Sequence, residues 1–295
     1  MGSLRDRAKG GRPVFAPIVF GLAMRLEQVD WQELSQSPSE AVFVLRSVER
    51  LFKLDAVCAN FDPWLEAEAA GVPVERDELG QVSEQPRRVE SLPSVQDVVQ
   101  AGPVQNTLEI IRRLVPTDNA SAPPLASITV GASLVDRLSA DADSASRLSA
   151  GHSGGALPKA DADLLEYASE LAINLARAYL DAGAAGLMLL QDLENPDLID
   201  IDAFEGLFNL GAYYDVPVVF VSRTRVGETG LQALKAVGND LYITPGETGA
   251  SICALDDDAG GTTISTAWLA STRWETDPTT SPETIHNWRR QVVGG

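Results

Sequence analysis

Lysine is nearly missing. The 295-residue chain has four, Lys9, Lys53, Lys159 and Lys235, so most of its 23 basic residues are arginine. Acidic residues number 42 and the net charge is −19. Sequence-independent nucleic-acid binding needs a basic footprint, so no nucleic-acid partner is expected. Anionic membrane surfaces are disfavoured for the same reason. Two origins fit a lysine-poor, acidic, arginine-using chain: a salt-loving cell, where salt screens self-repulsion, or an ordinary acidic protein from a GC-rich genome. Cysteine is also scarce. Cys58 and Cys253 are two thiols that can in principle pair, but both sit in apolar runs and read as buried thiols of an intracellular protein. No run of 18 apolar residues exists, so no membrane-spanning helix is expected. The charged start, Met1 to Lys9, gives way to glycines and then to Pro13 and Pro17, without a small-residue cleavage pattern; no signal peptide is read, and the expected location is cytoplasmic.

What is present is an alternation of strand-like and helix-like segments. Residues 1–12 read as a loose leader and 13–295 as one domain. Pro13 to Ala23 is a long apolar run, read as a first strand. Residues 39–53 carry apolar residues at helical spacing, with Ser39 as the expected N-cap. Residues 73–103 read as a hairpin or long loop, and Thr107 to Leu114 as a helix stopped by Pro116. Leu125–Gly131, Ala185–Gln191 and Val216–Ser222 read as buried strands. Asp161–Ala182 is an amphipathic helix stopped by Gly183, and residues 140–160, with Gly151-His-Ser-Gly-Gly155, read as a loop. Helices are expected over 202–214 and 231–237. Short strands are expected at 241–244, 251–254 and within 263–271, then a last helix from Ser281 to Val293 with Pro282 in its first turn. Strands alternating with helices imply a parallel sheet. About eight strands, with no glycine fingerprint after the first, favour an α/β fold of the single (β/α)8 TIM-type barrel.

Asp62 is the most informative position. It follows the mostly apolar run Asp55-Ala-Val-Cys-Ala-Asn-Phe61 and precedes Pro63, which cannot continue a ladder. Trp64 to Gly71 reads as a short helix. A carboxylate at the C-terminal end of a parallel strand is where α/β barrels place their chemistry; the same residue also suits a cap on the following helix. Both readings stand.

Four segments together resemble the uroporphyrinogen decarboxylase superfamily, which includes the cobalamin-linked methyltransferases. They are Arg12-Pro-Val-Phe-Ala-Pro, Leu54 to Gly71 with its Asp-Pro-Trp-Leu-Glu-Ala-Glu-Ala-Ala-Gly, Leu175 to Gly186 running on to Asp192, and Trp268 to Asp277 followed by Ser281-Pro-Glu-Thr-Ile-His286. The resemblance implies a barrel with its cleft at the C-terminal strand ends, a homodimer, and Asp62 as the central cleft aspartate, acting electrostatically. It implies a small-molecule anionic substrate, in the decarboxylase branch a tetrapyrrole, or in the other branch a corrinoid protein as partner. The departures are specific. Where the decarboxylases carry an Arg-x-x-x-Arg clamp, this chain has Ile18-Val-Phe-Gly-Leu22, with Arg25 the nearest guanidinium. Leu193 stands where the family has a serine, and the Gly-His-Gly loop has no counterpart. The methyltransferase zinc site needs a His-x-Cys pair and a distant Cys; His152, His286, Cys58 and Cys253 are not so spaced, and no metal or cofactor is expected.

Other strand-end residues are weighed as substrate contacts. Asp192 closes the strand at 185–191; it points into the cleft or caps the next turn. Arg223, with Arg225, follows the strand at 216–222 and suits an anion, or else a salt bridge to Asp192 or Asp62. Glu247 is a further strand-end carboxylate. Glu194 reads better as solvated, His152 as a loop histidine, His286 as structural, and Asp256-Asp-Asp258 as an acidic turn. Trp64 either walls the cleft or packs on the barrel. The two function classes are an enzyme acting on an organic anion and a non-catalytic subunit partnering a corrinoid protein.

Overall fold

Proline and hydrogen-bond arithmetic divide the opening apolar run. Val14–Phe15 (β1) is a strand of two residues, and Pro17 offers no N–H to prolong it. The chain then turns into helix α1 (Phe20–Glu27), whose residues from Phe20 to Met24 are all buried. The expected single strand over 13–23 is thus a strand followed by a helix: a run buried on every side has no period that separates the two. The computed structural model describes residues 4, 13–82, 91–116, 121–139, 158–192, 201–224, 226, 228–236, 241–244, 247–248, 252–255 and 267–293, with the backbone alone at 201–203, 229, 233, 236, 244 and 247–248. The expected leader at 1–12 (apart from Leu4), most of the loop at 140–160, Glu194, Arg225, His152 and Asp256–Asp258 lie outside the described residues.

Helix α2 (Trp31–Gln36) is capped by Asp30, whose carboxylate accepts from the Glu33 N–H at 2.8 Å. Helix α3 (Pro38–Phe52) starts one residue before the expected cap. Ser37, not Ser39, caps it: the hydroxyl accepts from the Glu40 N–H, and Pro38 has the φ that a first helical position wants. Then come β2 (Val57–Cys58), α4 (Leu65–Ala69), α5 (Val95–Val99), α6 (Gly102–Leu114), β3 (Pro124–Thr129), α7 (Gly131–Leu138), α8 (Lys159–Asp181), β4 (Leu187–Gln191), α9 (Ile201–Tyr213), β5 (Val218–Ser222), α10 (Glu228–Ala236), β6 (Tyr242–Thr244), β7 (Glu247–Thr248), β8 (Ile252–Ala254), β9 (Leu269–Ser271) and α11 (Pro282–Val293).

The fold is α/β with parallel sheets. One sheet has the order β2-β3-β4-β5-β6-β7, parallel but for the β6–β7 hairpin; the other is β1-β9-β8, all parallel. Every residue of β3, β4 and β5 is buried, as strands covered on both faces require. Among the described residues no single ladder closes into a ring. The two sheets are joined at β1 and β2 by Asp55. Its N–H donates to the Phe15 carbonyl at 2.9 Å, its carboxylate accepts from the Phe15 N–H at 3.0 Å, and Arg289 of α11 neutralises it at 2.6 Å. Helix α8 packs on α5, α7 and α9 as well as on β3, and α3 packs on α1 and α6. Neither cysteine is in a disulfide, and both are buried. No described helix is long and apolar enough to cross a membrane.

Candidate active site at the end of the second strand

The loop after β2 is held rigid by paired polar groups. Asn60 exchanges side-chain bonds with Ser127 of β3: its amide donates to the Ser127 carbonyl, its Oδ1 accepts from the Ser127 N–H, and the Ser127 hydroxyl donates to the Asn60 carbonyl at 2.6 Å. The Thr129 hydroxyl donates to the Pro63 carbonyl at 2.9 Å. The strand ends at Cys58, four residues before Asp62, so Asp62 belongs to this pinned loop rather than to the strand.

Asp62 is 5% exposed. Its Oδ1 accepts from the Trp64 N–H at 2.9 Å, closing the turn into α4, and its Oδ2 pairs with Arg76 at 2.8 Å. Arg76 also reaches Glu68 at 2.9 Å, donates to the Gly80 carbonyl, and lies 4.8 Å over the Trp31 ring. A turn-closing bond and a buried charge pair therefore meet on one residue; helix α4 itself has Trp64 at its N-cap and no side-chain cap among the described residues. Burial pushes the Asp62 carboxyl up, against the pull of Arg76 and of the Trp64 N–H.

Two more carboxyls stand near it. Glu66, on the inner side of α4, accepts from the Thr129 N–H at 3.2 Å through Oε1, while its buried Oε2 has no partner among the described residues. Burial pushes Glu66 up to about 8, and the charge of Asp62 adds to the effect. Glu275, from the loop after β9, accepts from the Gly21 N–H of α1 at 2.5 Å; burial pushes it to about 7, with Asp62 again contributing. Both groups therefore keep protons in a range where ordinary glutamates have lost them. On the other side of Trp64, Arg137 of α7 lies 4.8 Å over the indole and pairs with Asp192 at 2.5 Å; the Asp192 N–H donates to the Ser133 hydroxyl.

A cavity of about 300 Å³ opens beside Asp62. Phe20, Trp31, Phe61, Leu65 and Ile110 give it apolar walls; Asn106 and Glu68 are among its polar ones.

The expected site residues fare differently. Asp62 lines the cavity. Asp192 is tied to the same loop through Arg137 and Trp64. Arg25 is exposed and donates to the Thr280 carbonyl at 3.0 Å, away from the cavity. Arg223 is exposed, with its N–H on the Gln191 carbonyl; the carboxylates offered to it pair with Arg137 and Arg76 instead. Glu247 lies in β7, its side chain outside the described residues. His286 meets Phe52 edge-on at 5.4 Å on α11. Among the described residues the two thiols are not brought together as a zinc–thiolate pair. Cys58 is on β2 and Cys253 on β8, and burial pushes the Cys58 thiol up to about 12 while its S–H donates to the Asn60 carbonyl. Among the described residues no three His, Cys, Asp or Glu side chains are grouped to hold a metal. Arg76, Glu66, Glu275 and Arg137 were not singled out from the sequence. The Glu-Ala-Glu run on α4 carried a signal for Glu66; Arg76, in a polar loop, carried none.

Residues 13–208 match the family model for uroporphyrinogen decarboxylase (URO-D). The chain belongs to the uroporphyrinogen decarboxylase family. Among solved structures, a methyltransferase from Methanosarcina mazei superposes over 99% of this chain and 99% of its own, with a TM-score of 0.67 and 16% identity. The 2,3-dimethylmalate lyase of the PEP mutase/isocitrate lyase superfamily covers 98% of this chain and 95% of its own at a TM-score of 0.41 and 11% identity. No curated protein matches. Ile18–Leu22, where the resemblance implies arginines, holds a buried helix start, and the guanidinium beside Asp62 is Arg76.

Proposed function

We propose that the chain is a small-molecule enzyme of the uroporphyrinogen decarboxylase superfamily, working at the C-terminal strand ends of a (β/α)8 barrel. The strand order supports the barrel. β9 pairs with β1, Asp55 bridges β1 to β2, and β2 through β6 run in sequence order, which leaves the step from β6 to β8 as the second seam. The observation that carries the functional reading is Asp62: buried, ion-paired, and on the wall of a cavity beyond the end of β2. A carboxylate has about four acceptor positions, and protein donors take two of those on Asp62, so it still has room to accept from a substrate N–H. Held in a buried, pinned loop, it stabilises positive charge that develops on the substrate during loss or transfer of a one-carbon group. A cavity of about 300 Å³ is at the small end for ligand sites, which favours a compact substrate over a whole tetrapyrrole.

The test compares wild type with Asp62→Asn in high salt. Carbon dioxide release is followed from carboxylated monopyrroles, and methyl transfer from methylcobalamin to thiols. One of these activities is expected in wild type, lowered at least about 100-fold by the substitution, with an unchanged circular dichroism spectrum. Turnover that survives the substitution overturns the proposal.

A second reading has its own observation. Both oxygens of Asp62 already serve the protein, as those of a purely structural aspartate would. In that reading the chain is a non-catalytic partner of a corrinoid protein. It forms a stable complex with one and turns nothing over alone.

A further inference from the structure

The cavity wall carries more negative than positive charge. Two of its lining residues, Asp62 and Glu68, are carboxylates, and no lysine or arginine lines it among the described residues. The nearest guanidinium, Arg76, is 7% exposed and shared between those two carboxylates. It engages Glu68 through Oε2 only, and Glu68 Oε1 accepts no hydrogen bond from the described residues. The same wall is aromatic. Phe20 and Trp31 sit with ring centroids 6.0 Å apart, and Phe61 stands close by, braced edge-on by Trp274. Arg76 shows what this combination does: a cation there rests on the Trp31 ring and is held by two carboxylates. Aromatic faces attract cations through their quadrupole, and more strongly where water is excluded.

We propose that this cavity binds a small organic cation, an ammonium compound whose charge faces Glu68 and the Phe20–Trp31 rings. The proposal rests on the reading of the cavity as the substrate site; it replaces the anion expected from the family resemblance, and of the two activities tested above it favours methyl transfer over decarboxylation of a carboxylated monopyrrole. A carboxylate ligand would sit beside two like charges, buried Asp62 and half-exposed Glu68, whose guanidinium is already engaged. The volume sets the size: about 300 Å³ equals the liquid volume of roughly ten waters at ~30 Å³ each, which suits a small ligand.

Three probes of nearly the same shape separate charge from shape: choline, the uncharged 3,3-dimethylbutan-1-ol and the anionic 3,3-dimethylbutanoate. Their binding to the full chain is measured by calorimetry at one fixed ionic strength. Choline is expected to bind at least about tenfold more tightly than the alcohol, with the carboxylate weakest of the three. Glu68→Gln should lower choline affinity about tenfold and leave the alcohol unchanged. Because that change also loosens Arg76, Asn106→Asp provides the converse, a new cavity-wall charge that should tighten choline. Equal binding of choline and the alcohol, preference for the carboxylate, or no binding of any probe overturns the proposal. Its failure is distinct from failure of the enzyme reading. Turnover that depends on Asp62, without a cation preference, keeps the enzyme and discards the cation. A cation preference without turnover does the reverse.

Discussion

Glu66 concentrates the electrostatic tension of the site in one side chain. It is 1% exposed, one oxygen accepts a single backbone N–H, and the other has no described partner. Because burial raises its pKa from an ordinary glutamate's 4.5 to about 8, the folded protein holds this proton more tightly than the unfolded chain does. Stability is therefore fullest below the ordinary glutamate range and declines as pH rises from about 4.5 to about 8. Glu275, raised to about 7, adds a decline of the same sign. The lowered groups Asp277 and Glu283 act below this window, where their stabilising charges are lost as pH falls. Guanidinium melts between pH 5 and pH 8 should show a fall on the order of a few kcal/mol, and Glu66→Gln should remove its share of the slope and leave those of Glu275 and Asp62, which burial also raises. An unchanged slope in that variant would mean that Glu66 ionises freely in the folded state. Arg137 makes the opposite demand: it keeps its charge, with its guanidinium on Trp64 and its partner in Asp192. Asp192→Ala leaves that buried charge without its carboxylate, with only the Trp64 ring and the Ser133 carbonyl to hold it, and should cost about 3 kcal/mol in a denaturant melt. Replacing both partners, as Arg137→Met with Asp192→Leu, should cost less than the single change.

The hairpin-like segment around Arg76 is the element on which the cavity wall depends. Gly80 sits at φ +80°, and a Cβ there would run into the Trp31 indole. The Gly80 carbonyl also accepts from Arg76. Gly80→Ala should therefore destabilise the fold by about 1–2 kcal/mol and shift Trp31, changing the near-ultraviolet dichroism and weakening any ligand of the cavity. The hairpin agrees with the reading of residues 73–103 as a hairpin or long loop, whereas helix α5 and the start of α6 inside that range depart from it, and such short helices are the least legible in the sequence. Helices α3, α8 and α11 and strands β4 and β5 were legible, because a long period or a continuous apolar run between stop signals leaves few alternatives. Helices α2 and α7 were not: each is one or two turns long, and α7 starts at Gly131, which reads as a strand terminator. The site divides in the same way. Asp62 is visible because a strand-like run and a proline bracket it. Its partners are not, since Arg76 lies 14 residues away in a featureless loop, and Glu275 meets Gly21 across 254. Such pairings are set by how elements pack, which no local pattern records.

Across the whole molecule the dominant fact is a net charge of −19 on 295 residues. Two readings of that charge make different predictions about salt. If self-repulsion limits stability, added salt raises the melting temperature by shortening the screening length, from about 10 Å at 0.1 M to about 3 Å at 1 M. The gain should then be steep below about 1 M and level off, because beyond that point little repulsion is left to screen. An acidic protein adapted to ordinary ionic strength starts near that plateau and gains little between 0.15 M and 1 M. Salts that strengthen apolar burial act differently: their effect continues to grow with concentration and is larger for sulfate than for chloride. A melting series in sodium chloride from 0.05 to 3 M, repeated in sodium sulfate at matched ionic strength, separates these contributions. Coincident curves that rise and saturate in both salts identify repulsion among the 42 acidic groups as the limit on stability. A rise that appears only in sulfate places the limit in the apolar core instead, and the acidic surface then follows from solubility or genome composition rather than from a need for salt.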